Sequence, residues 1–338
     1  MASINKNSLK KALITLFGTE ITQFDYTIAR LRGGTLGDLF RISGVANIET
    51  SPLHFDIVLK RQKKWDRFGD LESWRREYDI YASNFIEDLV PLFKLPKCLL
   101  LVEKKNLIEI WMEYIEGQSG SDQVHLDELV LAAKRLGNMQ SRFSLYGTRN
   151  RAYLRNNSAL LNSFHLWSRR VSPVLFNPIP GFPEAIRHVL LDFYTQSKDH
   201  FEVFRALPLT LCHGDFHQDN LIFQVNSNDT DIYLIDWDCC GYGYMGEDVI
   251  DLLIEAFVFT DRDVMQLSDY RHQLFKAYVE GIREYNLAAS VSDALLLDFF
   301  VFAWGFRILD RYLNTHEEAL KLRYIRILQI MLNMSLTV

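Results

Sequence analysis

The spacing of the apolar residues changes once along the chain, near Gly117, and this change limits the folds that are possible. Before Gly117, short segments such as Leu53–Lys60 alternate apolar and polar side chains and predict strands. After Gly117, long segments repeat their apolar residues at helical spacing and predict helices. We therefore expect an α+β fold, with a small antiparallel-sheet lobe at residues 1–116 and a large, mainly helical lobe at residues 117–338.

The predicted sheet carries one long helix, and another helix precedes it. The first helix is expected to begin at Ser8, whose side chain can cap it, and to end at Gly18. The strands are expected at 25–31, 38–45, 53–60, 98–103 and 107–114, and the long helix at 70–85 with Leu71, Trp74, Tyr78, Tyr81 and Phe85 on its buried face. Beyond Gly117 we expect helices at 126–144, 158–170, 183–206, 245–258, 264–285 and 292–313, interrupted only by short strands at 221–224 and 232–235.

The composition excludes several classes of protein. With 48% hydrophobic and 24% charged residues, the chain is typical of globular proteins and not of disordered or fibrous ones. A net charge of −6 does not favour a nucleic-acid partner, which basic side chains would hold by its phosphates. The four cysteines form no CxxC pair, so we expect free thiols in a reducing cytosol and no zinc site. No apolar run is long enough for a signal peptide or a membrane span, and we expect a cytoplasmic protein without a membrane partner.

One segment carries the strongest chemical signal. His213-Gly214-Asp215 is followed, five positions after the aspartate, by Asn220. A loop with this spacing can direct Asp215 at a substrate hydroxyl, while Asn220 supplies an oxygen ligand to Mg²⁺ on the same side. An apolar strand then ends at Asp236, 21 positions after Asp215, and a hairpin can return this carboxylate to the same cleft as a further Mg²⁺ ligand. The alternative is that both aspartates are solvated turn residues.

Together with Ile235-Asp236-Trp237-Asp238, the segment from His213 to Asn220 resembles the aminoglycoside phosphotransferase and choline kinase superfamily, the small-molecule relatives of protein kinases. The resemblance covers residues 20–260 and implies a bilobal, protein-kinase-like fold. Gly214 stands where protein kinases usually have an arginine that reads a phosphorylated activation loop. The glycine, and the short stretch after Asp236, both favour a small-molecule acceptor.

The resemblance also implies roles for residues before Gly117. Lys60, at the end of the third predicted strand, is expected to reach the nucleotide phosphates, although a surface lysine is the simpler alternative. Glu77 in the following helix is its implied ion-pair partner, with Glu72 and Asp79 as competitors.

Two backbone segments complete the implied nucleotide site. Gly34 and Gly37 belong to a loop whose amides could cradle phosphate, and a plain hairpin turn explains them equally well. Glu113 and Ile115 lie in the implied hinge between the lobes, where backbone groups bind the adenine edge.

Three residues near the motifs have expected structural roles or none. Asp248 is expected to cap a helix or to pair with its dipole, and His213 is expected to fix the catalytic loop by hydrogen bonds. His217 has no role that the sequence assigns.

The leading hypothesis is therefore a kinase that transfers the γ-phosphate of a Mg²⁺-nucleoside triphosphate to a hydroxyl of a small molecule. ATP is the expected donor, with GTP not excluded, and the acceptor is an antibiotic, a sugar, an amino alcohol or an amino acid. One alternative is a catalytically inactive, nucleotide-binding protein of kinase fold. Another is a metal-dependent hydrolase that uses Asp215, Asp236 and Asp238, which leaves Lys60 and Glu77 without a role.

Overall fold

The computed structural model describes residues 4–31, 37–48, 51–83, 85, 89, 91–146, 153–154, 158–227, 229–285 and 291–335. The chain divides into two compact units. The first comprises Met1–Gly117 and Gln224–Asp238, and the second comprises Gln118–Phe223 and Cys239–Val338. The segment before Asp238 thus belongs to the sheet-rich unit although it lies far along the chain. The assignment of separate roles to residues 1–116 and 117–338 stays a prediction.

A five-stranded antiparallel sheet dominates the first unit, as the sequence predicted. The strands follow the order β1-β2-β3-β5-β4, so the last two enter as a hairpin beside β3. Their bounds are β1 Gln23–Arg30, β2 Asp38–Ile48, β3 Ser51–Lys63, β4 Cys98–Lys104 and β5 Leu107–Glu113. Every strand starts and ends within a few residues of its predicted bounds, because alternation along a half-buried strand is a local signal.

The first helix, α1 (Lys6–Phe17), covers one face of this sheet. Its Leu9 and Leu13 are buried in one cluster with Ile57, Leu59 and Trp111 of the strands. Burying a leucine in this way contributes about 1.5–3 kcal/mol of transfer free energy.

The ends of α1 confirm one prediction and correct another. Gly18 ends the helix with φ of 72°, a left-handed conformation that suits glycine. The cap is Asn5 and not Ser8, because the Asn5 side chain accepts hydrogen bonds from the amides of Asn7 and Ser8.

The second helix, α2 (Ser73–Tyr81), is shorter than predicted, and its buried face matches the predicted one only in part. Leu71 precedes it and is 63% exposed, whereas Arg76 and Glu77 are each only 2% exposed. Trp74, Tyr81 and Phe85 are buried as predicted. The burial of Arg76 was not predicted, because it depends on partners elsewhere in the chain.

The second unit is mainly helical, as predicted. Its helices are α3 Leu126–Tyr146, α4 Ala159–Leu175, α5 Glu184–Thr195, α6 Ser197–Arg205, α7 Glu247–Val258, α8 Leu267–Arg283, α9 Asp293–Phe300, α10 Phe306–Asn314 and α11 Glu318–Met331. Its short strands are β6 Leu209–Cys212 and β9 Gly241–Tyr244. Of the other two, β7 Leu221–Val225 crosses the boundary between the units, and β8 Thr230–Leu234 belongs to the first unit.

Five features of these elements differ from the prediction. The region 183–206 is two helices that meet at Gln196, and α4 continues through Pro173. The sequence did not predict α11, nor the antiparallel pair β6 and β9. A π-helical segment, Val301–Gly305, joins α9 to α10 where one continuous helix was expected.

Helices α3 and α8 pack closely because each has a glycine at the crossing. A Cβ atom on Gly137 would lie 2.2 Å from the carbonyl oxygen of Tyr278. One on Gly281 would lie 2.1 Å from the carbonyl oxygen of Lys134. Glycine inside a helix costs about 1 kcal/mol relative to alanine. Here the absence of a side chain permits the two backbones to approach.

Among the described residues, no helix is both long enough and apolar enough to cross a membrane.

Candidate active site

A buried cluster of charges surrounds Lys60 in the first unit. Because side chains alternate along β3, Lys60 faces away from the α1 side of the sheet and towards α2. Its Nζ atom contacts Glu77 Oε2 and lies 2.6 Å from Asp236 Oδ1. Asp79 instead pairs with Arg75 at 2.9 Å, so Glu77 is the helix carboxylate that contacts Lys60.

The cluster has more negative than positive charge. Burial lowers the pKa of Lys60, but Asp236, Glu77 and Asp238 outweigh this effect and raise it above its ordinary value. Burial raises the pKa of the Glu77 carboxyl, Lys60 opposes the rise, and Asp236 adds to it. One ammonium group therefore serves several carboxylates, and the cluster favours a further cation nearby.

The buried charged face of α2 fixes the loop that contains Asp236. Arg76 binds both carboxylate oxygens of Asp70 and also donates to the backbone carbonyl of Asp238. Ser73 donates to the same carbonyl at 2.8 Å. Asp236 itself has φ of 63°, an uncommon conformation for a residue with a side chain, and these bonds help to hold it.

The other predicted nucleotide contacts are placed as follows. Gly37 lies so close to β3 that a Cβ would be 2.9 Å from the Arg61 carbonyl oxygen, while Gly34 lies outside the described residues. The Glu113 amide donates to the Lys97 carbonyl at 3.0 Å. Within the described part of the chain, the Ile115 amide and carbonyl have no backbone partner, and a role of either residue in binding a base stays a prediction.

In the second unit, Asp248 holds the loop that contains Asp215. Its carboxylate accepts the backbone N–H of His213 at 2.8 Å and that of Gly214 at 2.9 Å. Gly214 has φ of 79°, which explains a glycine at this position. Of the two predicted roles of Asp248, the helix cap is wrong, because Gly246 occupies the N-cap position of α7. Asp248 lies in the first turn of α7, where an acidic residue pairs with the helix dipole as the other predicted role requires.

Gln140 of α3 supports Asp248 and was not singled out in the sequence. Its side-chain nitrogen donates to Asp248 at 3.0 Å, and its oxygen accepts from the Gly246 amide at 3.2 Å. These bonds connect a core helix to the loop of Asp215 through one buried aspartate.

Asp215 and Asn220 lie together in this loop. Asn220 is 7% exposed, and its amide nitrogen donates to the backbone carbonyl of Asp215 at 2.8 Å. This bond orients the Asn220 side chain and leaves its oxygen as the atom suited to a cation. The Asp215 side chain is 42% exposed, which leaves room for a substrate.

His217 contacts the side chain of Asp215, which the sequence did not predict. Its Nε2 lies 3.5 Å from Asp215 Oδ2, and its Nδ1 lies 4.0 Å from Glu255 Oε2. Burial lowers the pKa of His217, but the carboxylates of Asp215, Glu255 and Asp219 outweigh it and raise the pKa to about 9. Its position two residues after Asp215 was the available signal, whereas nothing in the sequence links Glu255 to the loop.

The donor atoms suit a magnesium ion. Mg²⁺ prefers oxygen ligands and usually binds one or two protein side chains together with substrate phosphates. Asp236 offers a carboxylate in a cluster with excess negative charge, and Asn220 offers an amide oxygen. Within the described ranges, no three His, Cys, Asp or Glu side chains form a metal-binding group by themselves. The convergence of Asp215, Asn220 and Asp236 on one cleft stays a prediction.

Known proteins provide an independent test of the family. The family model described as "Phosphotransferase enzyme family" (APH) matches residues 30–285. No curated protein matches the chain in sequence.

Solved structures of small-molecule kinases share the fold. The microcompartment-associated aminopropanol kinase is 16% identical, with a TM-score of 0.57 over 97% of this chain and 95% of that one. Choline kinase from Cryptosporidium parvum is 14% identical, with a TM-score of 0.55 over 91% and 89%. The GDP and kanamycin complex of APH(2")-IIia is 15% identical, with a TM-score of 0.58 over 97% and 99%. The similarity confirms the predicted α+β, protein-kinase-like fold and, at this identity, nothing finer.

Proposed function

The chain belongs to the phosphotransferase enzyme family, and on this premise we propose that it transfers the γ-phosphate of Mg²⁺-ATP to a hydroxyl of a small molecule. Two similar structures are kinases named for choline and aminopropanol, and a third was solved with kanamycin. These names support a small hydroxylated acceptor, within the range of antibiotic, sugar, amino alcohol and amino acid. The GDP in the third structure keeps GTP open as a donor.

The observation that carries the proposal is the contact of the Lys60 ammonium with both Glu77 and Asp236. A buried ion cluster is seldom a net source of stability, since apolar residues of similar volume often serve as well. Its value lies in holding an ammonium group at a defined position, where it can bind the phosphates of a nucleotide. Glu77 keeps Lys60 in place, and Asp236 and Asn220 are the proposed Mg²⁺ ligands.

The proposed reaction assigns Asp215 as the general base. The acceptor oxygen forms a bond to the γ-phosphorus, the bond from that phosphorus to the bridging oxygen breaks, and a nucleoside diphosphate leaves. The hydroxyl proton passes to the Asp215 carboxylate. When bound, Mg²⁺ supplies positive charge that offsets the negative charge of the phosphates. The backbone of Ile115 and Glu113, and the loop of Gly34 and Gly37, are proposed to bind the base and the phosphates.

The experiment that tests the proposal measures nucleoside diphosphate release with MgATP or MgGTP and a broad panel of hydroxylated acceptors. We expect acceptor-dependent release that chelation of Mg²⁺ abolishes and that Asp215→Asn strongly reduces. Nucleotide binding without release for any acceptor would favour the inactive, nucleotide-binding alternative. Cleavage of phosphate esters in the absence of nucleotide would favour the hydrolase.

A further inference from the structure

A cluster of two arginines and three aromatic side chains lies beside the catalytic loop in the second unit. We refer to Arg307, Arg311, Trp167, Phe259 and Trp304 as the arginine–aromatic cluster. The Arg307 guanidinium carbon lies 4.1 Å from the ring centre of Trp304, 5.4 Å from that of Phe259 and 5.6 Å from that of Trp167. Arg311 lies 4.2 Å from the ring centre of Phe259. Stacking of this kind fixes the plane of each guanidinium group.

The two guanidinium groups have unused hydrogen-bonding capacity. The Nε–H groups of Arg307 and Arg311 are buried and have no partner among the described residues. The Glu255 carboxylate lies 3.7 Å from Arg307, too far for a hydrogen bond. Burial lowers the pKa of Arg307 below its ordinary value. Glu255 raises this pKa and Arg311 lowers it, but neither outweighs the effect of burial. The Arg307 side chain is 27% exposed, and Glu255 makes no hydrogen bond to it at this distance, so a carboxylate ligand would add the charge-assisted hydrogen bonds that are missing.

Short contacts connect this cluster to the catalytic loop. Glu255 lies 3.7 Å from Arg307 on one side and 4.0 Å from His217 on the other. His217 in turn lies 3.5 Å from Asp215. A molecule whose hydroxyl meets Asp215 can therefore extend along Glu255 towards the arginines.

The backbone that presents the cluster has an unusual local structure. The π-helical segment Val301–Gly305 lies between α9 and α10, and it contains Trp304 and ends two residues before Arg307. Segments of this kind are rare and are found disproportionately at functional sites. The Trp304 indole donates to Asp251 at 2.7 Å, which fixes the ring on which Arg307 stacks.

From these contacts we infer that the acceptor carries a carboxylate as well as its hydroxyl, and that Arg307 and Arg311 bind that carboxylate. This inference rests on the proposed function and narrows its acceptor to hydroxy acids and hydroxylated amino acids. Glu255, Asp251 and Asp215 all act on Arg307, so the surroundings are already acidic and favour the less highly charged anion, a carboxylate over a phosphate.

The test compares four three-carbon acceptors that differ in one group: glycerol, glycerate, glycerol 3-phosphate and 3-amino-1,2-propanediol. We expect glycerate to have the highest kcat/KM in the wild-type enzyme. Arg307→Gln and Arg311→Gln should raise the KM for glycerate by roughly tenfold or more, since hydrogen bonds to charged groups are lost. The KM for ATP should not change, and the loss of kcat/KM should be much larger for glycerate than for glycerol. Arg307→Lys keeps the charge without the planar fork and should restore only part of the loss.

Arg205→Gln is the matched control, because Arg205 is an arginine whose side chain is 63% exposed and pairs with the nearby Glu202. This substitution should leave kcat/KM unchanged for all four acceptors. A preference for the amine or for the phosphate would overturn the assignment of a carboxylate. An equal loss of kcat for every acceptor in Arg307→Gln would also overturn it, and would indicate that Arg307 acts on the transferred phosphate.

A binding measurement separates failure of this inference from failure of the proposed function. Glycerate is titrated into the enzyme without nucleotide while tryptophan emission is followed, since Arg307 stacks directly on Trp304. A saturable change in emission supports the carboxylate site if both Trp304→Phe and Arg307→Gln abolish it. This conclusion holds even if no acceptor is phosphorylated. If the wild-type protein shows no saturable change in emission, the carboxylate site is overturned, even where other acceptors are phosphorylated.

Discussion

The Asp248 carboxylate accepts the backbone N–H of Gly214 at 2.9 Å, and a residue of helix α7 thereby sets the conformation of the residue before the proposed base. The second oxygen of Asp248 accepts the amide of His213 and the side chain of Gln140. All these groups are buried or nearly so. Hydrogen bonds to a buried carboxylate are stronger than hydrogen bonds between two neutral groups. The position of Asp215 therefore depends on a residue that need not contact substrate.

Asp248→Asn should lower turnover while the protein stays folded. The amide keeps one acceptor atom but cannot accept both backbone N–H groups as a carboxylate does, so the loop shifts. Small misplacements of a reacting group can cost about 100-fold in rate, and we expect kcat to fall by roughly 10–100-fold. Steady-state kinetics and a thermal melt on the same sample provide the measurement.

Asp127→Asn is a suitable control for this change, because Asp127 lies in the first turn of α3, away from the loop of Asp215 in sequence. It should leave kcat within the error of the wild type. If Asp248→Asn had full activity, the two hydrogen bonds to the loop would not position Asp215.

Arg76→Lys should destabilise the first unit and weaken nucleotide binding. Lysine retains the charge, but it cannot bind both oxygens of Asp70 and the Asp238 carbonyl at the same time. We expect a loss of roughly 1.5–3 kcal/mol in the free energy of unfolding, the range for hydrogen bonds to charged groups. Chemical denaturation and calorimetric titration with Mg²⁺-ATP measure the two effects.

The neighbouring Arg75→Lys is a matched control in the same helix. The Arg75 side chain is 29% exposed and pairs with Asp79 and Glu103, so this change should alter stability by less than roughly 0.5 kcal/mol. Equal effects of the two substitutions would mean that the buried pair with Asp70 has no special role.

Gly281→Ala should destabilise the second unit more than an ordinary glycine substitution. The new Cβ would lie 2.1 Å from the Lys134 carbonyl oxygen, so α3 and α8 must move apart. We expect a loss of about 2–4 kcal/mol in the free energy of unfolding, measured by denaturation in urea.

Gly18→Ala separates steric crowding from backbone strain. Gly18 has φ of 72°, but nothing lies within 4 Å of the position that a Cβ would take, so only the strain of about 1–2 kcal/mol remains. A larger loss for Gly18→Ala than for Gly281→Ala would contradict the close crossing of the helices.

The sequence predicted those features that depend on local patterns. Alternation located the strands, and the resemblance to a family, carried by the spacing from His213 to Asn220, pointed to the contact of Lys60 with Glu77. Asp248 was assigned to its own helix because its actual partner, the His213 amide, lies 35 positions away. Contacts over such distances leave no trace in apolar periodicity.

The buried face of α2 was predicted only in part. Periodicity correctly placed Trp74 and Tyr81 inside, but it also placed Leu71 there and missed Arg76, whose charge is satisfied by Asp70 and the Asp238 carbonyl. A single sequence records the charge of Arg76 but not the partners that permit its burial.

The last prediction separates the roles of the two aspartates. Asp236→Asn should weaken binding of Mg²⁺-ATP, because a neutral amide is a poorer ligand than a carboxylate for a hard cation. Asp215→Asn should leave nucleotide binding nearly intact and reduce turnover by roughly 10²–10⁴-fold, the usual range for the loss of a general base. Calorimetry with Mg²⁺-ATP gives the first effect, and steady-state kinetics with an active acceptor give the second.

The environments of the two side chains explain why the effects should separate. Asp236 contacts Lys60 in a cluster that already has excess negative charge, which favours a metal ion. Asp215 lies instead beside His217 in a loop of the second unit, and its carboxylate is 42% exposed to an incoming acceptor. Loss of nucleotide binding in Asp215→Asn, together with slowed turnover alone in Asp236→Asn, would reverse the two roles. Unchanged activity in both variants would instead remove the loop of Asp215 and the loop of Asp236 from the reaction.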